Sequence, residues 1–349
     1  VARKRKTLPK DFKHMLQTAS LEELKAVFDT CELTATGGYS KGTALSFTEA
    51  PDELVTWLVE QGLGVDTPDS YGRTPLATRA RHWSRDTITS LHLLVGLGAD
   101  VEAQDKHGVA PLRAAVEAQR PGAVKALLGH GADVKVTTER GQTLLDIVLI
   151  GAQNAYLEQT VEVTETLLAH GLAVTEDMRE QVKKIGERFE FYRADFAMDR
   201  LEEADAALTR LYEIFDVEPV PRRFIHDGTS AIRVPDGRWQ DQHEALWDLL
   251  VPGKGTAATI QGEVIRITGV INDEMLRNGG TNWAARHKTW VDELGGHLAS
   301  GCSLDDLNEV SALTQAVRGG HGEQRDLYRL SELAVEWVER NPDPVVFHS

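Results

Sequence analysis

The residues best spaced for chemistry fall between positions 256 and 282. On a helix over Thr256–Arg277, Ile260, Val264, Ile267 and Ile271 make an apolar stripe, and Glu263, Arg266, Asp273 and Arg277 a charged one. Such a charged stripe reads as a polar groove, able to hold a small ligand if the side chains gather in a pocket, or as a docking seam. The same spacing also describes a solvated face of ion pairs three and four residues apart, each worth about 0.2–0.5 kcal/mol. Gly262 and Gly269, seven apart, would admit another helix at close range, and Asn278-Gly-Gly-Thr-Asn282 ends the segment.

No other grouping completes a catalytic set. His243-Glu244 runs on into Ala-Leu-Trp, so the second histidine of a zinc-protease helix is missing. Gly253-Lys-Gly-Thr256 lacks the first glycine of a phosphate loop and follows no clear strand. His287 shares a helix face with Trp283, Trp290 and Leu294, which suits a hydrogen-bonded core histidine. His130 and His170 each precede a helix-ending glycine, with no second ligand at helical spacing for a metal. Glu202-Glu203 and Asp305-Asp306 sit in helix first turns, where they complement the dipole. There is no Gly-x-Ser-x-Gly elbow, and neither Cys31 nor Cys302 has a plausible base. The expectation is a non-enzyme with no cofactor and no metal.

The elements that position these residues are set by a repeat. Asp69-Ser-Tyr-Gly-Arg-Thr-Pro-Leu76, Leu93-Leu94 and Gly98-Ala-Asp-Val101 return as Asp105-Lys-His-Gly-Val-Ala-Pro-Leu112, Leu127-Leu128 and Gly131-Ala-Asp-Val134. Asp-x-x-Gly is turn chemistry. Thr-Pro opens a helix, because proline fits its first turn and the threonine oxygen accepts an orphan N–H. A second helix carries Leu-Leu inward and stops at a glycine. Thr43-Ala-Leu45, Thr74-Pro-Leu76, Ala110-Pro-Leu112 and Thr143-Leu-Leu145 are equivalent starts, in steps of 31, 36 and 33 residues. Gly62, Gly98, Gly131 and Gly171 are equivalent stops. The second unit is therefore longer than the third, with its excess near Arg79-Ala-Arg-His-Trp-Ser-Arg85, and the fourth is longer again, around Gln153–Gln159. Such a period marks an array of helical hairpins, each leaning on its neighbours.

Over about residues 33–174 this phrase resembles the ankyrin repeat. One departure is that the histidine usual after Thr-Pro-Leu is replaced by Ser46, Ala77, Arg113 and Asp146. The resemblance implies an all-α solenoid of helix pairs whose hairpin tips and inner helices form a concave surface for another protein. Carried onto this chain, the tips are Tyr71, Arg73, Lys106, His107, Glu139 and Arg140, and the inner-helix residues are Arg79, Arg81, His82, Trp83, Arg113 and Glu117. Trp and Arg are the types that anchor interfaces; Trp83 could also fold back over its own repeat.

The chain then divides as follows. Residues 1–32 read as an N-terminal helical cap, its second helix opened by a Ser20/Glu23 capping box. Residues 33–175 hold four repeats, and 176–216 two capping helices, the second started by Asp199 with Glu202. Residues 217–239 read as a linker or small hairpin. Residues 240–349 form a helical domain, with helices over Gln240–Leu250, Thr256–Arg277, Asn282–Leu298, Leu304–Arg318 and Gln324–Arg340 and a capping start at Ser303-Leu-Asp-Asp306. Four of the seven tryptophans lie there and a fifth, Trp239, directly before it, so it has its own aromatic core. Its wording around Thr259–Gly269 resembles a segment that accompanies ankyrin arrays in bacterial proteins.

A net charge of −16 argues against nucleic acid as the main ligand, since phosphate binding needs clustered Lys and Arg. The basic start Val1–Lys6 reads as a solvated terminus. The negative balance fits simple solubility, or a basic protein partner steered in by the field of the molecule. Cys31 and Cys302 lie far apart and form no disulfide framework, so a reducing cytoplasm is expected. No 18-residue apolar run and no signal-peptide core are present, so no membrane role is expected. The leading expectation is non-enzymatic protein binding, and within it an inhibitor such as an immunity protein that neutralises a basic toxin. The alternatives are an enzyme or small-ligand receptor using Glu263, Arg266, Asp273 and Arg277, and an adaptor with one partner on each domain.

Overall fold

The structure is a computed structural model that describes residues 3–83, 87–320 and 322–347. It is predominantly helical and divides into two compact units, residues 1–186 with 202–219 and residues 187–201 with 220–349. Ser84 and Arg85, the end of the extension in the second repeat, lie outside the described residues.

The first unit opens with a pairing that the sequence did not suggest. Strand β1 (Arg5–Thr7) runs parallel to β2 (Cys31–Thr36), around helices α1 (Phe12–Thr18) and α2 (Leu21–Thr30). The capping box at Ser20 is present: Ser20 N–H donates to Glu23 Oε2 at 2.8 Å and Glu23 N–H to Ser20 Oγ at 3.3 Å. The repeats follow as α3 (Asp52–Glu60), then inner and outer pairs α4 (Pro75–Ala80) with α5 (Thr87–Gly96), α6 (Pro111–Glu117) with α7 (Pro121–Gly129), and α8 (Leu144–Ile150) with α9 (Leu157–Ala169). Leu45, Leu76, Leu112 and Leu145 are all fully buried, in elements that pack in succession. The turn Ala44–Ser46 packs on α4, α4 on α6 and α6 on α8, while α5 packs on α7 and α7 on α9. In the first repeat the inner helix is only that single 3₁₀ turn. Pro51 follows Thr43 by eight positions, whereas Pro121 follows Ala110 by eleven, so a second turn does not fit.

The four stop glycines adopt φ of 99°, 94°, 87° and 92°. Each closes its helix with paired bonds, for example Gly98 N–H to the Val95 carbonyl and Ala99 N–H to the Leu94 carbonyl, both 2.9 Å. This Schellman arrangement satisfies carbonyls that the helix end leaves free. Helices α10 (Glu176–Tyr192) and α11 (Leu201–Phe215) follow the repeats. Arg210 Nε on α11 donates to Glu165 of α9 at 2.8 Å. Asp199 does not cap α11; it lies in a 3₁₀ turn, Met198–Arg200, that runs straight into the helix.

The second unit is built around α13 (Ile260–Asn272), which packs against α12 (Trp239–Leu250), α14 (Ala285–Leu298) and α16 (Gln324–Arg340); α15 (Leu307–Arg318) packs on α14 and α16. Gln261 to Thr268 are buried without exception, so this helix is enclosed on all sides rather than two-faced. It starts at Ile260 and not Thr256, because Thr259 Oγ1 accepts Gly262 N–H at 3.1 Å. It passes into a π-helical turn, Asp273–Arg277, closed by Asn278 N–H on the Asp273 carbonyl. Asp306, not Ser303, caps α15, accepting Asn308 and Glu309 N–H at 3.0 Å each. Residues 220–238 contain neither helix nor strand, hence no hairpin. They are tied down, not loose: Ile232 enters the core, and the Arg223 guanidinium donates to the carbonyls of Phe191, Trp247, Asp248 and Val251.

Candidate functional site

The short inner helices end where the sequence places its most interface-like residues. Directly after α4, Arg81 Nη2 reaches Glu117 Oε2 on α6 at 2.8 Å, and Arg113 Nε reaches Glu117 Oε1 at 2.9 Å. One carboxylate thus clamps two arginines from neighbouring repeats. Trp83 does not fold back over its own repeat. The Arg120 guanidinium lies 3.5 Å from its ring centroid, and the Tyr156 ring stands 5.8 Å away. Arg120 Nε also donates to the Arg81 carbonyl at 3.2 Å. Burial pushes the Arg120 guanidinium down to about 10, still charged at neutral pH. Even so, Trp83 remains 56% exposed. Gln119 continues the tie to the fourth repeat: at φ 55° it sends Nε2 to the Val148 carbonyl and accepts from Thr160 Oγ1.

The hairpin tips beside this face share one geometry. Asp69 Oδ1 accepts the N–H of Tyr71 and Arg73, Asp105 Oδ1 those of His107 and Val109, and Thr138 Oγ1 those of Arg140 and Gln142. Adjacent tips are joined by Lys106 N–H to the Tyr71 carbonyl and Ser70 N–H to the Ser40 carbonyl. The first tip, with Tyr39 almost fully exposed, was missed because its Gly37–Gly42 turn lacks the Asp-x-x-Gly phrase. Arg73 is occupied by Asp69 at 2.7 Å and lies over the Tyr71 ring, whereas Glu139 and Arg140 stand in solvent.

Other expected site residues are placed differently. Arg79 is not a surface residue: it is 1% exposed, with Nη1 on the Phe47 carbonyl at 2.9 Å. Burial pushes its guanidinium down to about 10. The four charged residues of the second unit do not gather. Glu263 and Arg266 form a buried pair at 2.5 Å, supported by Ala257 N–H on Glu263 Oε2 and by Trp290 beneath the guanidinium. Asp273 and Arg277 meet 3.3 Å apart in solvent. Neither a shared groove nor a wholly solvated face is formed. Gly262 and Gly269 do admit a neighbour, α12, at Leu250 and Trp247. The loop at Gly253 follows helix α12 instead of a strand, which removes the phosphate-loop reading. His130 does have a second nitrogen beside it, His92 Nδ1 at 2.7 Å from the adjacent outer helix, a neighbour that spacing within one helix cannot reveal. Among the described residues no three metal-ligating side chains converge, and no helix is long and apolar enough to cross a membrane.

Residues 43–138 match the family profile described as Ankyrin repeats (3 copies). Over 102 residues the chain is 32% identical to Delta-latroinsectotoxin-Lt1a of Latrodectus tredecimguttatus, which covers 29% of this chain and 8% of that protein. Over 136 residues it is 32% identical to Ankyrin repeat and SOCS box protein 6 of Homo sapiens and 31% to that of Pongo abelii, covering 34% of this chain and 32% of each relative. The chain thus spans a third or less of these relatives, and they lend nothing to a bacterial type. With helix starts, glycine stops and hairpin tips recurring in successive layers, residues 43–138 are ankyrin repeats, a protein–protein interaction module.

Proposed function

We propose that the chain binds another protein through the ends of α4, α6 and α8 and the hairpin tips beside them. The observation that carries this is Trp83, held by Arg120 and Tyr156 yet more than half open to solvent. An indole fixed before binding loses little conformational freedom when a partner covers it, and Trp and Arg dominate interface energetics. Arg81 and Arg113, clamped by Glu117, and Lys106, His107, Glu139 and Arg140 then form a polar rim. His82 and Tyr71 complete it.

A finer reading is a tight inhibitor of a basic protein, such as a toxin held by its immunity protein in a bacterial cytoplasm. Its support is the net charge of −16, because Arg73, Arg81 and Arg113 of the face are already paired with carboxylates. The test is affinity capture from the source cell, then titration of the purified partner against the wild-type chain and Trp83→Ala. The variant should bind about thirtyfold more weakly. Affinity that ignores salt would remove the basic partner while leaving the Trp83 face standing.

A further inference from the structure

The second unit contains a pocket of about 770 Å³, within the ~300–1,000 Å³ usual for small-molecule sites. Three aromatic residues line it: Trp239 and Trp247 from α12, and Tyr328 from α16. The Trp239 and Tyr328 rings meet at 57° with centroids 5.7 Å apart. Trp247 is locked in place, stacked on Phe191 at 6.2 Å and lying so close to Gly269 that any side chain there would collide with its ring. The π-helical turn supplies the opposite lining through Asp273 and Arg277, and such turns recur at functional sites.

The charges are unequal. Asp273 and Arg277 offset each other, but Glu244 also lines the pocket and has no ion-pair partner among the described residues. His243, bonded through Nε2 to Thr268 Oγ1 at 2.9 Å, is held neutral by burial and adds no positive charge. The lining therefore combines aromatic surface with one surplus carboxylate. An anion would meet Glu244 unopposed, and a neutral ligand would leave the carboxylate without a counter-charge. A cation is attracted both by Glu244 and by the negative faces of the rings.

We propose that this pocket binds an alkylated ammonium compound, its cationic head against Trp239, Trp247 and Tyr328 and its charge balanced by Glu244. The site lies within the second unit and is independent of the repeat face.

The experiment is calorimetric titration of the full chain with choline and with its uncharged isostere 3,3-dimethyl-1-butanol. Saturable choline binding is expected, with the isostere at least about tenfold weaker. Tyr328→Phe keeps the ring face and should retain binding. Tyr328→Leu and Glu244→Gln, both at exposed positions, should each weaken it about tenfold. Equal binding of the isostere would reduce the site to an apolar slot and overturn the proposal. So would the absence of saturable choline binding, or binding indifferent to both Tyr328→Leu and Glu244→Gln.

Discussion

Arg79 shows how residue type can mislead where register would not. Counted along the repeat, its equivalents are Ala115 and Val148, both fully buried. The core position was therefore legible from its repeats, while the guanidinium alone suggested a surface anchor. Two of its nitrogens, Nε and Nη2, have no hydrogen-bond partner. Buried charges that are incompletely satisfied are often replaced by apolar groups of similar volume at no loss. Arg79→Met should leave the urea midpoint unchanged or raise stability by about 1–2 kcal/mol; a loss of that size would show that its bond to Phe47 matters more than the burial. His243 gives the complementary case. Burial lowers it from its ordinary value to about 4, so between 6.5 and 4 the unfolded chain accepts a proton that the folded unit refuses. Stability present above pH 6.5 is then lost as pH falls towards 4, by up to about 3 kcal/mol. Urea unfolding of wild type and His243→Gln at pH 7, 5.5 and 4 measures it, and a constant difference between the two proteins would contradict the assignment. The Glu263–Arg266 pair was legible as a pair, but not as buried, because spacing along one helix says nothing about how many helices surround it.

At the scale of elements, the recurring starts and stops could be read directly because glycine and proline act locally. At Gly98, φ is 94° and nothing lies within 4 Å of an added Cβ. Any cost of a side chain there comes from the backbone alone. Gly98→Ala should lower stability by about 1 kcal/mol, and a neutral result in chemical denaturation would mean that the helix end relaxes into another form. What spacing could not reveal depends on tertiary contact. β1 is made from a basic run, Arg5-Lys-Thr7, that pairs only because β2 lies beside it. The π-helical turn after α13 carries no local signal, and Arg120 and Tyr156 reach Trp83 from 37 and 73 positions further along the chain.

Across the whole molecule there are two compact units, one of which carries the ankyrin repeats, and the chain does not pass between them once. Residues 187–201 cluster with 220–349, and 202–219 cluster with the repeats. A cut at the Val217-Glu-Pro-Val-Pro221 break would leave Phe191 without Trp247 and Arg223, its stacking partners. Truncation is thus a poor way to assign a partner to either unit, and point substitutions, Trp83→Ala in one and Tyr328→Leu in the other, keep both folded bodies whole. Most of the proposed repeat face was visible in the sequence as residue types at repeat positions; the pocket was not, since Trp239, Glu244 and Tyr328 come together only through packing of α12 and α16.

The most direct measurement is the affinity of the partner captured from the source cell for three purified full-length proteins: wild type, Trp83→Ala and Tyr328→Leu. Binding through the Trp83 face predicts about thirtyfold weaker affinity for Trp83→Ala and wild-type affinity for Tyr328→Leu. A partner that binds Trp83→Ala as tightly as wild type would contradict it.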